Sequence, residues 1–174
     1  MNIIFYGGRQ TGALCLLTLL AKKENVVCVV PVDEAVEKIA EKFSLKVFKP
    51  KSLNSGDSAK HLKSLNLDLL VCCHGREILK KEILEIPEKG CINLHPCLYK
   101  YKGARPIERL LEDKNPKASI GVHYMIEEVD MGDVITEIFV DVSGCSIPIE
   151  VYNKLYIYYS LALIDAIDKI KIKI

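Results

Sequence analysis

The stretch LDLLVCC at residues 67–73 has the composition of a buried central strand, because it is apolar almost throughout. A short helix is predicted at residues 78–84, ending before Pro87 and Gly90, and a second strand follows at residues 91–94. Strand, helix and strand in this order form a βαβ unit, whose two strands lie parallel in one sheet. We therefore predict a parallel α/β core around this stretch.

The same alternation continues in both directions along the chain. We predict a Rossmann-like, open and mostly parallel α/β sheet with helices on both faces and an antiparallel pair near the C-terminal end. The Lys-Ile alternation at residues 169–174 fits either an edge strand or a frayed tail. The predicted strands are residues 2–6, 26–30, 47–48, 67–73, 91–94, 118–125 and 134–140, and the predicted helices are residues 11–22, 33–43, 59–65, 78–84, 105–112 and 147–170.

The composition fits a single domain over residues 1–174. Apolar residues make up 49% of the chain, and a net charge of +1 provides no field that would attract nucleic acid or a membrane surface. The seven cysteines include no Cys-x-x-Cys pair, so we expect reduced, buried thiols. Because no segment has the pattern of a leader or a membrane span, we expect a cytoplasmic protein. The tyrosines of the last helix leave a homodimer possible.

Two polar residues mark the end of the strand that begins at residue 91. Asn93 and His95 are two positions apart, so a strand points both side chains the same way, and Asp130 follows at a later strand-to-loop junction. An amide that stabilises an oxyanion, an imidazole that moves protons and a carboxylate that orients it are the groups acyl transfer requires. The imidazole could act neutral or charged. His123 is predicted to be a core or inter-strand histidine, and Asp133 a turn residue.

Four motifs occur in a fixed order: INLHP at residues 92–96, YKGARPI at 101–107, GVHY at 121–124 and VDMGD at 129–133. Together they resemble the folate-dependent formyltransferases, which move a formyl group from 10-formyltetrahydrofolate to an amine. That family includes glycinamide ribonucleotide transformylase, methionyl-tRNA formyltransferase and sugar N-formyltransferases. The resemblance implies that Asn93, His95 and Asp130 are the catalytic residues.

The resemblance also implies a folate pocket and an acceptor site. The co-substrate is expected to be 10-formyltetrahydrofolate, held by loop backbone and apolar side chains, with no metal. The residues expected to bind folate are Arg76, Glu77, Ile78, Leu79, Met125, Ile126, Glu127, Glu128 and Val129. Those expected to bind the acceptor are Gly8, Arg9, Gln10 and Thr11, in a turn that offers N–H groups to a phosphate, and Lys102 and Gly103.

The acceptor is expected to be a small amine. We favour an amino-sugar nucleotide over glycinamide ribonucleotide, because the turn carries Arg9-Gln10-Thr11 where the transformylases usually have a Ser/Thr-Asn pair. Two alternatives stay open: a 10-formyltetrahydrofolate hydrolase, in which water replaces the amine, and a folate-binding module without turnover.

Overall fold

The computed structural model describes residues 1–172. Its centre is a six-stranded sheet in the order β2-β1-β3-β4-β5-β6. The strands are β1 (Asn2–Gly7), β2 (Asn25–Pro31), β3 (Leu69–Cys73), β4 (Cys91–Pro96), β5 (Lys117–Tyr124) and β6 (Val134–Asp141). The helices are α1 (Arg9–Ala21), α2 (Glu34–Lys42), α3 (Gly56–Lys63), α4 (Lys81–Leu84), α5 (Pro106–Glu112) and α6 (Pro148–Ile172).

The sheet is parallel from β2 to β4 and antiparallel beyond β4. β1 pairs in parallel with both β2 and β3, and β3 pairs in parallel with β4. β5 then runs antiparallel to β4 and to β6. The predicted mostly parallel sheet with an antiparallel pair is confirmed. β2 lies on one side of β1 and β3 on the other, so the strand order reverses at β1. Ligand sites in open α/β sheets lie outside the carboxyl ends of the strands at such a point.

Helices cover both faces of the sheet, as predicted. Alternate residues of β1 enter two different cores: Ile3 and Phe5 pack with α1, α2, α5 and α6, whereas Ile4 packs with α3 and α4 on the other face. The adjacent Cys72 and Cys73 are divided between the same two cores. This division follows from the two-residue period of a strand that is buried on both sides.

Two predicted elements are shorter in the structure. The strand at residues 47–48 is reduced to a single parallel bridge between Val29 and Val47. The helix expected at 78–84 starts only at Lys81, because Asn54 holds the preceding residues extended: its Nδ2 donates to the Ile78 carbonyl at 3.0 Å and its Oδ1 accepts from the Lys80 N–H at 2.8 Å.

The Lys-Ile alternation is not an edge strand over residues 169–172, where α6 continues. Ile170 is buried in the core, and the Lys171 Nζ lies 2.6 Å from a carboxylate oxygen of the buried Glu24. These contacts fix the end of the helix against the start of β2. Residues 173 and 174 of the predicted segment lie outside the described residues. Between residues 1 and 172, no helix combines the length and apolar character needed to cross a membrane.

Candidate active site

Asn93, His95 and His123 share one face of the sheet at its carboxyl edge. Asn93 and His95 are two residues apart on β4, so their side chains point to the same face. His123 on β5 is the direct antiparallel partner of Asn93. Cross-strand partners in an antiparallel pair have side chains on the same face. His123 is a buried inter-strand histidine, as its position predicted, but it also belongs to one polar group with Asn93 and His95. The signal that sequence reasoning lacked was the pairing of β5 with β4.

The segment between β5 and β6 folds back over β4 and brings Asp130 to these residues. The Met125 N–H donates to the Cys91 carbonyl at 2.7 Å, and the Tyr124 N–H donates to the Asp133 carbonyl at 2.9 Å. Gly132 passes so close to the Tyr124 carbonyl oxygen that an added Cβ would overlap it. Asp130 itself has φ 56°, a left-handed conformation that aspartate tolerates better than most residues. The segment therefore requires glycine at 132 and a short polar residue at 130.

Both carboxylate oxygens of Asp130 are engaged. Oδ2 accepts from the Gly103 N–H at 2.8 Å and lies 3.1 Å from His95 Nε2. Oδ1 lies 3.3 Å from His123 Nε2 and 3.5 Å from Asn93 Nδ2. Burial alone would raise the pKa of Asp130, but the hydrogen bonds of His123 and His95, the charge of His95 and the Gly103 N–H together hold it well below its ordinary value. Asp130 is therefore ionised near pH 7.

The proton positions on His95 follow from its partners. Its Nε2 lies 3.0 Å from the Gly103 carbonyl oxygen and 3.1 Å from Asp130 Oδ2. Both oxygens can only accept, so Nε2 carries a proton whether the ring is neutral or charged. His95 Nδ1 is buried and has no hydrogen-bond partner within the described part of the chain. Asp130 thus fixes the orientation of the imidazole and the site of its proton.

His123 is constrained in the opposite sense. Its Nδ1 lies 2.8 Å from the Tyr124 carbonyl oxygen and must donate to it. In the neutral ring, Nε2 then accepts from Asn93 Nδ2 at 3.4 Å, whereas in the charged ring it donates to Asp130. In either state His123 holds one side of this cluster, and Asn93, His95, His123 and Asp130 all line the adjoining cleft.

This cleft has a volume of about 580 Å³ and contains most of the expected folate-binding residues. Exposed apolar side chains of Ile78, Ile126 and Val129 contribute to its wall. The expected residues Glu127 and Glu128 are exposed and do not line the cleft. Those that do are Arg76, Glu77, Ile78, Leu79, Met125, Ile126 and Val129.

Tyr6 anchors the loop that begins this wall. Its hydroxyl oxygen accepts from the Arg76 N–H at 2.6 Å and from the Glu77 N–H at 2.9 Å. The Glu77 carboxylate in turn accepts from the Leu53 N–H at 3.0 Å and from the Ser52 hydroxyl. The loop between β3 and α4 is therefore held from two sides, by contacts too distant in sequence to be read from any motif.

The turn after β1 does not present the free N–H groups expected of a phosphate cradle. The Gly8 N–H donates to the Cys73 carbonyl at 3.1 Å, and the Arg9 N–H donates to the Asp33 carboxylate. For these two residues the expectation of free donors is wrong. Gln10 is exposed and Thr11 buried, both outside the cleft wall, whereas the Arg9 side chain lines it. Among the other expected acceptor residues, Gly103 lines the cleft and Lys102 does not.

Two further side chains near the cleft have shifted pKa values. Burial, then the charges of Arg9 and His95, lowers the pKa of His74 to about 4. Burial raises the pKa of the Cys97 thiol to about 11, so this loop cysteine is a neutral, unreactive thiol near pH 7. Within residues 1–172, no group of three or more His, Cys, Asp or Glu side chains is arranged to hold a metal ion.

The arrangement can be compared with known proteins. A family model described as Formyl transferase matches residues 9–166. The chain belongs to the formyl transferase family. Among curated relatives, the methionyl-tRNA formyltransferase of Protochlamydia amoebophila is 32% identical over 157 residues, covering 83% of this chain and 49% of the relative. This formyl transferase chain thus spans about half the length of the curated relatives it matches.

Solved structures share the fold of this formyl transferase. Glycinamide ribonucleotide transformylase 1 from Symbiobacterium toebii superposes with a TM-score of 0.82 at 18% identity, over 95% of this chain and 84% of that chain. A formyltetrahydrofolate deformylase from Pseudomonas syringae pv. tomato gives 0.83 at 17% identity, over 95% and 59% of the two chains. The predicted family resemblance and Rossmann-like fold are confirmed. The roles of Asn93, His95 and Asp130 stay predictions.

Proposed function

We propose that this protein transfers the formyl group of 10-formyltetrahydrofolate to the amine of a small acceptor. The observation that carries the proposal is the Asp130 carboxylate, held between His95 and His123 and next to Asn93 at the edge of the cleft. The apolar rim of the same cleft supports a flat, partly apolar ligand such as the pterin. The residues thus provide for both folate binding and charge stabilisation.

The reaction separates charge at the formyl carbon. The amine nitrogen attacks this carbon, its oxygen becomes an oxyanion, and the nitrogen becomes positively charged. The Asn93 amide lines the cleft and can donate an N–H to the oxyanion, and the His95 ring, which also lines the cleft, stabilises it through its positive charge when protonated. The bond to N10 of the folate then breaks, one proton leaves the former amine and one is taken up by N10. The products are a formamide and tetrahydrofolate.

Asp130 acts in this mechanism through its charge and its hydrogen bonds. Because its pKa is held low, it stays ionised and does not compete for the amine's proton. It orients His95 and compensates any positive charge that develops on the imidazole. Proton transfer between the amine and N10 is assigned to His95 or to water beside it.

The acceptor we propose is an amino-sugar nucleotide. The Arg9 side chain in the cleft is the feature that supports an acceptor with phosphate groups. Glycinamide ribonucleotide carries a phosphate as well and is the second candidate. Methionyl-tRNA joins the acceptors to be tested because the curated relatives, of which this chain spans about half the length, are named for it.

The test is the release of tetrahydrofolate from 10-formyltetrahydrofolate by the full chain, with amino-sugar nucleotides, glycinamide ribonucleotide, methionyl-tRNA or no acceptor. We expect release that depends on an amine and falls on the order of 10²–10³-fold in Asn93→Ala, as for loss of an oxyanion donor. Asn153→Ala, an exposed asparagine outside the cleft, is the matched control. Release without any amine would instead indicate a hydrolase, and folate binding with no release would indicate a binding module.

A further inference from the structure

The longest helix of the molecule has an apolar stripe on its outer side. α6 spans 25 residues, Pro148–Ile172, and packs against α1, β5 and β6. On the side away from the sheet, Ile157 is 60% exposed, Leu161 is 45% exposed and Ile164 is half-buried. These three residues follow one another at spacings of four and three, the repeat by which one helix packs along another. α6 therefore carries a second apolar face, turned away from the core.

This stripe distinguishes α6 from other helices on the surface. The exposed side chains of α2 include Glu34 and Lys38, and those of α3 include Asp57 and Lys60. The outer side of a surface helix is normally polar, and a helix that is apolar on both sides is normally covered on both. Isolated exposed apolar residues need no partner, whereas several in register on one helix indicate an interaction surface.

α1 extends this surface. It lies beside α6, with Thr18 Oγ1 2.8 Å from Ser160 Oγ and Lys22 Nζ 2.7 Å from the Asp168 carboxylate. Leu17, the residue before Thr18, is 40% exposed. The outer sides of the two helices, each about 10 Å wide, together offer about 600 Å². Specific protein–protein interfaces begin at about this area per partner, so the surface is large enough for a dimer.

The charges at the two ends of the stripe indicate which partner fits it. Lys154 stands seven residues before Leu161, and Asp168 stands seven residues after it. In a second copy packed antiparallel about Leu161, Lys154 lies opposite Asp168 of the partner subunit, and the two-fold axis makes this pair twice. Parallel packing would instead bring like charges together. Asp168 is 50% exposed despite its pair with Lys22, and Lys154 Nζ lies 3.2 Å and 3.4 Å from two backbone carbonyl oxygens, so both charges remain accessible.

We propose that the stripe of Ile157, Leu161 and Ile164, together with Leu17, is a dimer interface that binds a second copy of this chain antiparallel. The apolar side chains supply the contact, and the charges at its ends fix the register. The cleft stays open in the dimer: of the described residues of α6, Tyr152 alone lines it, half a turn around the helix from Leu161. The dimer is therefore independent of the proposed function.

The test is sedimentation equilibrium of the full chain over a range of concentrations. We expect a mass that rises toward twice the 19.5 kDa of one chain. Leu161→Glu brings two carboxylates together at the axis and should weaken self-association at least about tenfold. The control is Val134→Glu, which changes a 51% exposed residue of the edge strand β6 and should leave the dimer unchanged. Circular dichroism and tetrahydrofolate release per chain show whether each variant is folded.

Cross-linking tests the orientation of the two copies without a charged substitution. Under mild oxidation with glutathione disulfide, Leu161→Cys should cross-link to itself. Lys154→Cys should not, because antiparallel packing leaves its two copies about 21 Å apart, beyond the reach of a disulfide. The wild type, whose cysteines are buried or half-buried, gives the background.

Three results would overturn the proposal. They are a single-chain mass at every concentration, which would leave the stripe to a partner of another kind, self-association that Leu161→Glu does not weaken, and a dimer lost in Val134→Glu instead. Efficient self-cross-linking of Lys154→Cys would overturn the antiparallel arrangement. Formyl transfer by a protein of single-chain mass would sink the dimer alone, and a dimer without formyl transfer would sink the proposed function alone.

Discussion

At the scale of single residues, the Asp130 carboxylate organises the candidate site. Its two oxygens lie within 3.5 Å of four nitrogen atoms, which belong to His95, Gly103, His123 and Asn93. The residue types of Asn93, His95 and Asp130 could be predicted from sequence, because an amide, an imidazole and a carboxylate are what the chemistry needs. The participation of His123 could not, because it depends on a strand pairing that joins residues 30 positions apart.

Replacing Asp130 by asparagine tests this arrangement. An amide keeps the shape but lacks the charge, and its nitrogen cannot accept a hydrogen bond from His95 or from Gly103. We expect single-turnover formyl transfer to fall by about 10²-fold or more, as for loss of positioned proton transfer. Folate affinity, measured in parallel, should change little. Retention of wild-type turnover in Asp130→Asn would show that Asp130 has no part in the chemistry.

His74 should make stability depend on pH. Its pKa is about 4 in the folded protein against an ordinary value of 6.5, so the unfolded chain takes up a proton that the folded one does not. Above pH 6.5 the residue contributes nothing, and as pH falls from 6.5 toward 4 it lowers the free energy of unfolding.

The variant His74→Asn isolates this effect, since asparagine tolerates the left-handed φ of 58° at this position and does not titrate. In urea unfolding at pH 7 and pH 5, the wild type should lose more stability between the two pH values than the variant. An equal loss in both proteins would mean that His74 does not cause the pH dependence.

At the scale of elements, side chains from elsewhere in the chain set the loops that line the cleft. Asn54 keeps the residues before α4 extended, which is why the helix predicted from apolar spacing at 78–84 begins late. Periodicity within a segment predicts what the segment can form alone. It does not include hydrogen bonds from residues more than 20 positions away, and those decide the path of this loop.

Tyr6→Phe tests the anchor of the same loop. Without the hydroxyl oxygen, the Arg76 and Glu77 N–H groups lose their acceptor. We expect the free energy of unfolding to fall by about 1 kcal/mol or more, and folate to bind several-fold more weakly at nearly unchanged turnover, because the loop lines the folate side. The control is Tyr158→Phe on α6, outside the cleft. Equal folate affinity in Tyr6→Phe and wild type would contradict this role of the loop.

At the scale of the whole molecule, the sequence predicted the sheet and its two covered faces well. Apolar runs bounded by glycine and proline are local signals, and they located each strand within a few residues. The end of the chain was predicted less well, because the Lys-Ile alternation has the period of a strand but continues α6 to Ile172. A tertiary contact between Lys171 and Glu24, the residue before β2, overrides that local pattern.

Lys171→Ala measures how much that contact stabilises the molecule. The Lys171 ammonium is the partner of Glu24, whose side chain is only 3% exposed. Removing it leaves a buried carboxylate with a lost charged hydrogen bond, and we expect unfolding to become easier by about 1–2 kcal/mol. Lys169→Ala, which breaks an exposed pair with Asp165, should cost no more than about 0.5 kcal/mol. Similar urea midpoints for the two variants would contradict a stabilising contact between the end of α6 and Glu24.

The most direct measurement of the central claim follows the formyl group itself. The full chain is incubated with 10-formyltetrahydrofolate labelled in the formyl carbon and with the acceptor panel, and the products are analysed by mass spectrometry. We predict label in the formamide of one amine, in amounts equal to the tetrahydrofolate released, and its loss in Asn93→Ala and Asp130→Asn. Label recovered only as formate, or an unchanged yield in both variants, would contradict formyl transfer by this site.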